Sequence, residues 1–391
     1  MTFGKHTDGQ IYLWIKNGYP NSAMPAWDKR LTEEQIWQLV SYLRSFGQSV
    51  AQGQPTAQAN PAGPTQQASS EKVPFVQEPL PPMVLVRQNN IWRSDGKGGA
   101  PRALTQLEGG AYAEYPTFSP DGTKVAFIAI TPAPVTATVP LPTSTLYVMN
   151  ADGSGLRAAW KPAEGLLGIP AWAPDGQALY IAANGVKAGP AQSGNAAQLQ
   201  VVRLDLDSGG QQMLLADALD PAFSRDGKQL AYLKLGSDGY TMALMVAAAD
   251  GSGARELVGG SDFQGFYAPR FSPDGKQIVV AAVGGPETDQ QGNPIKASVP
   301  STLDRLLGLF EPPTAEAHGL PWDIWVVNTD GTGLRRLTRF FEDLPMAVFA
   351  PDGKQIAILG AGGVYLMGAD GQRLRRIDQI GAHGGLDWAR Q

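Results

Sequence analysis

The 391-residue sequence contains no cysteine and only three histidines, which excludes several kinds of site. Without thiols the chain forms no disulfide, no cysteine nucleophile, no cysteine-ligated zinc site and no covalent haem attachment. His6, His318 and His383 are too scattered along the sequence to indicate a histidine metal site. No run of about 18 apolar residues occurs, so the sequence predicts no membrane-spanning helix.

Excess positive charge and the common catalytic motifs are also missing. The formal net charge is −5 and the isoelectric point is about 5.3, so no basic surface for nucleic acid or anionic membrane is indicated. The sequence lacks a Gly-x-Ser-x-Gly elbow, a P-loop and a His-Glu-x-x-His helix. Asp205 and Asp207 have a spacing that calcium ligands also use, but solvated turn residues are the favoured interpretation. We therefore predict that the chain is not an enzyme.

One phrase recurs throughout the sequence. An aromatic residue ends a short apolar strand, Pro-Asp-Gly or a near variant follows, and a second strand of alternating pattern begins. Proline presets φ at the first corner of a turn, aspartate bonds the local backbone, and glycine adopts the left-handed conformation. Each copy therefore predicts a β-hairpin. The copies occupy residues 115–127, 169–176, 220–227, 268–275 and 346–353, with a shortened copy at 385–388.

A second phrase alternates with the first, and it also predicts a strand, a tight Asp-Gly turn and a strand. Its copies occupy residues 91–96, 146–157, 201–209, 244–255, 324–335 and 364–375. Two hairpins give four strands, which make one blade of a β-propeller. The chain opens with a hairpin of the second type at 83–104 and closes with a lone strand of the first type at 386–389. We therefore expect six blades, with the C-terminal strand completing the N-terminal blade so that no sheet edge stays open.

These Ser-Pro-Asp-Gly hairpins resemble the TolB-like propeller repeat, also called the WD40-like PD repeat, over residues 83–391. The resemblance implies a mainly β, six-bladed propeller that serves as a protein-interaction scaffold with partners in the cell envelope. Propeller enzymes of the prolyl-oligopeptidase kind have similar blades, but they carry an α/β-hydrolase domain that this sequence lacks.

Residues 1–47 have a different, helical pattern. Two capping boxes, Thr7 to Gln10 and Thr32 to Gln35, each precede apolar residues at helical spacing. The segment resembles the C-terminal half of a class I cytochrome c, in which the methionine before a proline is an axial ligand to haem iron. That residue is Met24 here.

The family's Cys-x-x-Cys-His is absent, so the chain as given is expected to hold no cofactor. If the missing half exists in the native protein, haem c would bind at Met24. The alternative function is then electron transfer, with the propeller docking a partner of a redox chain. Both resemblances imply a periplasmic or otherwise extracytoplasmic location, although this chain shows no signal peptide.

Residues 48–82 are rich in proline, glutamine and alanine and are predicted to be a disordered linker. Three insertions, at 131–142, 185–195 and 284–320, follow the second strand of a blade and should crowd one rim, which favours a contact face there. The longest contains a predicted short helix, which either docks a partner or folds back on its own blade. Its apolar side comprises Leu303, Leu306, Leu307 and Phe310.

Overall fold

The chain divides into two compact units, Met1–Ala68 and Ser69–Gln391. The computed structural model describes residue 16 and residues 73–132, 142–162, 165–184, 199–237, 241–260, 263–286, 322–339, 342 and 344–389. In the first unit only Lys16 is described, and its backbone is helical. The rest of the two predicted N-terminal helices, including Met24, lies outside the described residues. No described helix is long and apolar enough to cross a membrane.

The described part of the second unit is built from strands, and each four-stranded sheet is one blade. In the first three blades the strands follow in chain order from the inner edge outwards. Blade 1 contains β4 (Tyr112–Phe118), β5 (Lys124–Thr131), β6 (Thr143–Asn150) and β7 (Arg157–Trp160). Blade 2 contains β8 (Ala171–Trp172), β9 (Ala178–Asn184), β10 (Leu199–Asp205) and β11 (Gln211–Ala216). Blade 3 contains β12 (Ala218–Phe223), β13 (Gln229–Leu235), β14 (Met242–Ala248) and β15 (Arg255–Val258).

The remaining blades complete the ring. Blade 4 contains β16 (Phe263–Phe271), β17 (Gln277–Gly284), β18 (Trp322–Asn328) and β19 (Arg335–Arg336). Blade 5 contains β20 (Met346–Phe349), β21 (Gln355–Gly360), β22 (Gly363–Gly368) and β23 (Arg375–Asp378). Blade 6 contains β24 (Leu386–Trp388), β1 (Met83–Arg87), β2 (Asn90–Ser94) and β3 (Arg102–Ala103).

Blade 6 joins the two ends of the propeller, as the order of the two phrases predicts. The C-terminal strand β24 pairs antiparallel with β1, with Met83 opposite Trp388 and Leu85 opposite Leu386. The sheet order is β24, β1, β2, β3, so the last strand of the chain takes the inner position that β4 occupies in blade 1. The mainly β, six-bladed architecture is therefore confirmed.

The Pro-Asp-Gly turns have the predicted chemistry. In the first copy the Gly122 N–H donates to the Ser119 carbonyl at 2.9 Å, and the Asp121 carboxylate accepts from the Thr123 N–H at 3.0 Å. Gly122 has a φ of 70°, in the left-handed region that favours glycine. The same backbone bond closes the other four turns, through Gly176, Gly227, Gly275 and Gly353.

The second strands of the blades do not have the alternating burial that the sequence pattern predicts. In β5 every residue between Lys124 and Thr131 is buried. Both faces of a blade are covered by neighbouring blades, and a strand covered on both faces is apolar throughout. One apolar cluster shows this packing directly, because it joins Ile128 and Leu146 of blade 1 to Trp172 and Ile181 of blade 2.

An arginine at the start of several outer strands connects one blade to the next. Arg102 of β3 donates to the Asp152 carbonyl of blade 1 at 3.0 Å. Arg335 of β19 donates to the carbonyls of Asp370 and Ala369 in blade 5 at 2.8 and 3.1 Å. The acceptors are backbone carbonyls in the Asp-Gly turns of the second repeated phrase, and the arginine belongs to the same phrase. These copies therefore provide both the charged donors and the acceptors for contacts between blades.

Residues 73–82 lie against the propeller, which differs from the predicted disordered linker. The Val76 N–H donates to the Arg376 carbonyl, and the Arg376 N–H donates to the Pro74 carbonyl, both at 2.9 Å. Glu78 accepts two bonds of 2.8 Å from Arg375. These contacts cover the outer edge of blade 5, and burying an open edge against a short extended segment is a common way to protect it. Residues 48–72 lie outside the described residues.

Candidate functional site

The six innermost strands surround a cavity of about 150 Å³ on the propeller axis. Residues from all six blades line it, which places it on the axis rather than between two blades. We call this cavity, with its lining residues from Thr117 of blade 1 round to Trp388 of blade 6, the funnel. It opens on the side where the Pro-Asp-Gly turns lie, because those turns contribute its rim.

The rim is made by the residue that precedes Asp-Gly in each first-type turn. Four of these residues are prolines: Pro120, Pro174, Pro273 and Pro351. In blade 3 the position is taken by Arg225, which is exposed. Its guanidinium donates to the Pro351 carbonyl at 3.4 Å. Since Pro351 belongs to blade 5, the Arg225 side chain extends across the mouth of the funnel.

Two tryptophans in the funnel wall connect neighbouring blades. The Trp172 indole N–H donates to the Thr117 carbonyl at 3.1 Å, and the Trp388 indole N–H donates to the Val348 carbonyl at 3.2 Å. Each bond runs from one inner strand to the inner strand of the preceding blade. These two bonds therefore connect the blades of the wall. The other blades have phenylalanine at this position, and its side chain has no hydrogen-bond donor.

Three of the described lining residues are charged: Arg225, Arg270 and Asp387. The Asp387 carboxylate accepts from the Phe118 N–H at 2.8 Å and from the Thr117 hydroxyl at 3.3 Å. Asp387 is thereby engaged in closing blade 6 onto blade 1. The lining carries two guanidinium groups against one carboxylate, so its formal charge is positive.

An apolar plug closes the axis below the funnel. Buried Ile169, Ala268 and Met346 contact one another, and Tyr115 and Tyr267 pack against them. These residues come from four blades, so their mutual contact requires them to meet near the axis. Each of Tyr115, Ile169, Ala268 and Met346 lies two residues before a funnel-lining residue, on the side away from the Pro-Asp-Gly turn of its blade. The funnel therefore ends blindly at the plug.

Asp220 lies beside the plug and is 4% exposed. Its carboxylate accepts from the Ala268 N–H of the neighbouring blade at 3.1 Å. Burial raises the pKa of Asp220 to about 6, while the Ala268 bond and the nearby Arg270 charge oppose that rise. Burial also raises the pKa of Glu114 and the pKa of both plug tyrosines.

The candidate site residues named from the sequence are not among the described lining residues of the funnel. Met24 and the group Leu303, Leu306, Leu307 and Phe310 lie outside the described residues. The Asp205 carboxylate bonds the backbone and hydroxyl of Ser208 at 2.8 and 2.7 Å, and these bonds lower the Asp205 pKa. Among the described residues no group of three acidic or histidine side chains is placed to hold a metal ion.

The funnel and plug residues carry a signal that the sequence interpretation overlooked. Between copies of the first phrase, the aromatic residue and the turn vary little. The third residue before the aromatic varies from tyrosine to aspartate to glycine, and the residue directly before it varies from alanine to arginine. Those two positions supply the plug region and the funnel lining.

No family model matches the chain, and no curated protein matches it. Among solved structures, TolB from Acinetobacter baumannii superposes with a TM-score of 0.51 at 16% identity, covering 79% of this chain and 66% of that chain. The fold is TolB-like. The chain spans just under two thirds of that TolB, and at this identity the TolB-like likeness concerns the fold alone.

Two other structures align less well. A putative TolB from Agrobacterium tumefaciens gives a TM-score of 0.49 at 18% identity, covering 73% of this chain and 87% of that one. Oligogalacturonate lyase from Vibrio parahaemolyticus gives 0.36 at 12% identity, covering 72% and 68%. The function of this TolB-like propeller is therefore argued from its own residues, because a shared fold does not determine function.

Proposed function

We propose that this chain is a protein-interaction scaffold located outside the cytoplasmic membrane, and that a protein partner docks at the funnel. The observation that supports this most directly is the funnel itself, an axial cavity lined by all six blades and closed below by the plug. Rigid propellers commonly present their binding groups at such a face, because function is placed on loops that a stable scaffold positions. The extracytoplasmic location is proposed from the TolB-like fold.

The polar groups of the funnel favour binding over catalysis. The hydroxyls of Ser224 and Ser272 donate to the aspartates of their own turns at 2.7 and 2.6 Å. Asp387 accepts bonds from the adjacent blade. These groups therefore hold the scaffold together. The serine hydroxyls lower the pKa of Asp226 and Asp274, so these carboxylates are weak bases for activating a serine nucleophile. We accordingly propose that the chain is not an enzyme.

The long insertion in blade 4 is a second proposed contact. The strands that flank the three insertions, β5–β6, β9–β10 and β17–β18, all connect on the side of the ring opposite the Pro-Asp-Gly turns. Leu303, Leu306, Leu307 and Phe310 stay the proposed apolar contact on that side. The cytochrome-like assignment of residues 1–47 and the conditional haem site at Met24 stay predictions.

The docking proposal is tested by blocking the mouth of the funnel. Pro273→Trp places a bulky side chain at the rim, whereas Lys276→Trp places the same side chain on the same turn at an exposed position outside the lining. The full chain and both variants are immobilised and used to capture proteins from an envelope extract of the source organism, with quantitative mass spectrometry as readout. We expect at least one protein to be retained by the full chain and by Lys276→Trp but lost with Pro273→Trp. Equal retention by both variants would show that docking does not use the funnel.

A further inference from the structure

We infer that the funnel takes an acidic peptide segment, held by the guanidinium groups of Arg225 and Arg270. This inference rests on the proposed docking function and specifies the chemistry of the partner. Its starting point is the position of Arg225, where four other copies of the same turn carry proline. A proline rim presents no hydrogen-bond donor, so blade 3 alone among these five turns brings a charged donor to the mouth.

The local bonds of Arg225 leave most of its donor capacity for another acceptor. A guanidinium has five N–H donors in a planar fork. The described structure gives Arg225 one bond, to the Pro351 carbonyl, at a length of 3.4 Å. A carboxylate is the acceptor that matches this fork best, because it takes two parallel charge-assisted bonds at shorter distance.

The rest of the lining has the same electrostatic preference. Arg270 adds a second positive charge on the wall, and it donates to the Pro269 carbonyl at 2.8 Å. Asp387, the one acidic residue of the described lining, accepts from the Phe118 N–H, the Thr117 hydroxyl and the Trp388 N–H. An entering anion therefore meets Arg225 at the mouth and, deeper in the wall, Arg270, whose charge also acts on buried Asp220. The Asp387 carboxylate is already hydrogen-bonded.

The size of the cavity restricts how much of the partner enters. Small-molecule sites commonly measure roughly 300–1,000 Å³, and the funnel measures about 150 Å³. Because the plug closes the axis, a chain cannot pass through. The dimensions suit one or two side chains of an extended segment that lies across the rim. A glutamate or aspartate in such a segment would reach Arg225 first and Arg270 deeper in the wall.

The test compares two fluorescent peptides that differ only in charge, blocked at both ends: Ser-Leu-Glu-Leu-Ser and Ser-Leu-Gln-Leu-Ser. Binding to the full chain is measured by anisotropy at about 20 mM and about 200 mM salt. We expect the glutamate peptide to bind about tenfold tighter at low salt, in the range for a charge-assisted pair. Arg225→Pro, which restores the residue of the other turns, should abolish that preference. Lys228→Gln removes one positive charge from the same turn outside the lining and should leave the preference in place.

Equal binding of the two peptides would overturn the acidic-segment inference, as would failure of both peptides to bind. An equal loss of the preference for the glutamate peptide in Arg225→Pro and in Lys228→Gln would also overturn it. The capture experiment with Pro273→Trp distinguishes this failure from failure of the docking function. Rim-dependent capture without a charge preference would leave docking in place and remove the acidic specificity. A charge preference that needs Arg225, without any rim-dependent capture, would leave an anion site and remove the docking function.

Discussion

Replacing Asp220 by asparagine should remove a pH-dependent cost that the plug region imposes on folding. Asp220 is buried between blades 3 and 4, and its carboxylate accepts one backbone bond, from Ala268. Asparagine has nearly the same shape and its side-chain oxygen also accepts from an N–H, so the inter-blade bond is retained. The substitution therefore changes mainly the ionisation of this one position.

The size and sign of the effect follow from the shift in pKa. The Asp220 pKa rises from 3.8 to about 6 on folding, a difference of roughly two units, which corresponds to about 3 kcal/mol. The native state holds the proton more tightly than the unfolded state does, so the contribution of Asp220 is favourable below the unfolded pKa. It is lost as the pH rises through about 6. Wild-type stability should fall relative to Asp220→Asn by about 3 kcal/mol between about pH 3.5 and 7, and the difference should be constant above that range.

The assay is urea unfolding of both full-length proteins at a series of pH values, followed by tryptophan fluorescence. The difference between the two proteins is the quantity of interest, because Glu114, whose pKa burial raises, titrates in both and the Arg270 charge is present in both. Asp250→Asn is the control, because hydrogen bonds from Ser252 lower the pKa of this exposed carboxyl. Its loss should give a difference of the opposite sign. A difference for Asp220→Asn that is independent of pH, or that has the sign of the Asp250 control, would refute the reasoning.

Three further substitutions test the axis and the contacts between blades by urea unfolding. Gly385→Ala should cost about 3 kcal/mol, because φ is 91° and the added Cβ would lie 2.2 Å from the sulfur of Met346. Trp388→Phe should cost about 2 kcal/mol, since it removes the indole bond to the Val348 carbonyl together with buried volume. Arg335→Met should cost about 1 kcal/mol, because it removes the bonds from blade 4 to blade 5.

Each of these has a matched control in the same chain. Gly209 also has a positive φ, but a Cβ there meets nothing within 4 Å, so Gly209→Ala should show only the backbone strain, about 1 kcal/mol. Trp325 is even more buried than Trp388, yet its indole nitrogen has no hydrogen-bond partner among the described residues, so Trp325→Phe should cost less than Trp388→Phe. Lys97→Met removes an exposed cation and should be nearly neutral. If a control substitution lowered the free energy of unfolding as much as the substitution it is paired with, the contact assigned to that second substitution would not explain its effect.

The blades, the turns and the ring closure could be predicted because their causes are local and repeated. Pro-Asp-Gly sets the chain direction within a few residues, and the order of the two phrases requires one shared blade. The contact of residues 73–82 with the outer edge of blade 5 had no such signal. Glu78 and Arg375 are 297 positions apart, and neither residue differs in type from a solvated charge on a turn.

The axial site could not be assembled from the sequence for a related reason. Asp220 comes directly before the proline of its strand, where an acidic residue would normally be taken for a solvated strand end. Its burial results from Ala268 and the plug, which come from other blades and meet it only after the ring has closed. The residues of the site can be read in the sequence, but which of them come into contact across different blades cannot.

The internal repeats nevertheless separate two kinds of position. Where all copies need the same residue, as at the turn glycine, the reason is a backbone conformation that every blade shares. Where the copies differ, as at Arg225 against four prolines, the shared fold does not require the difference. The residue at such a position can therefore have a role in binding. The axis is the place for such a role, because side chains of all six blades meet there. Reversion of Arg225 to proline should therefore leave stability nearly unchanged while altering binding, and a large loss of stability would mean that the arginine is needed for the fold.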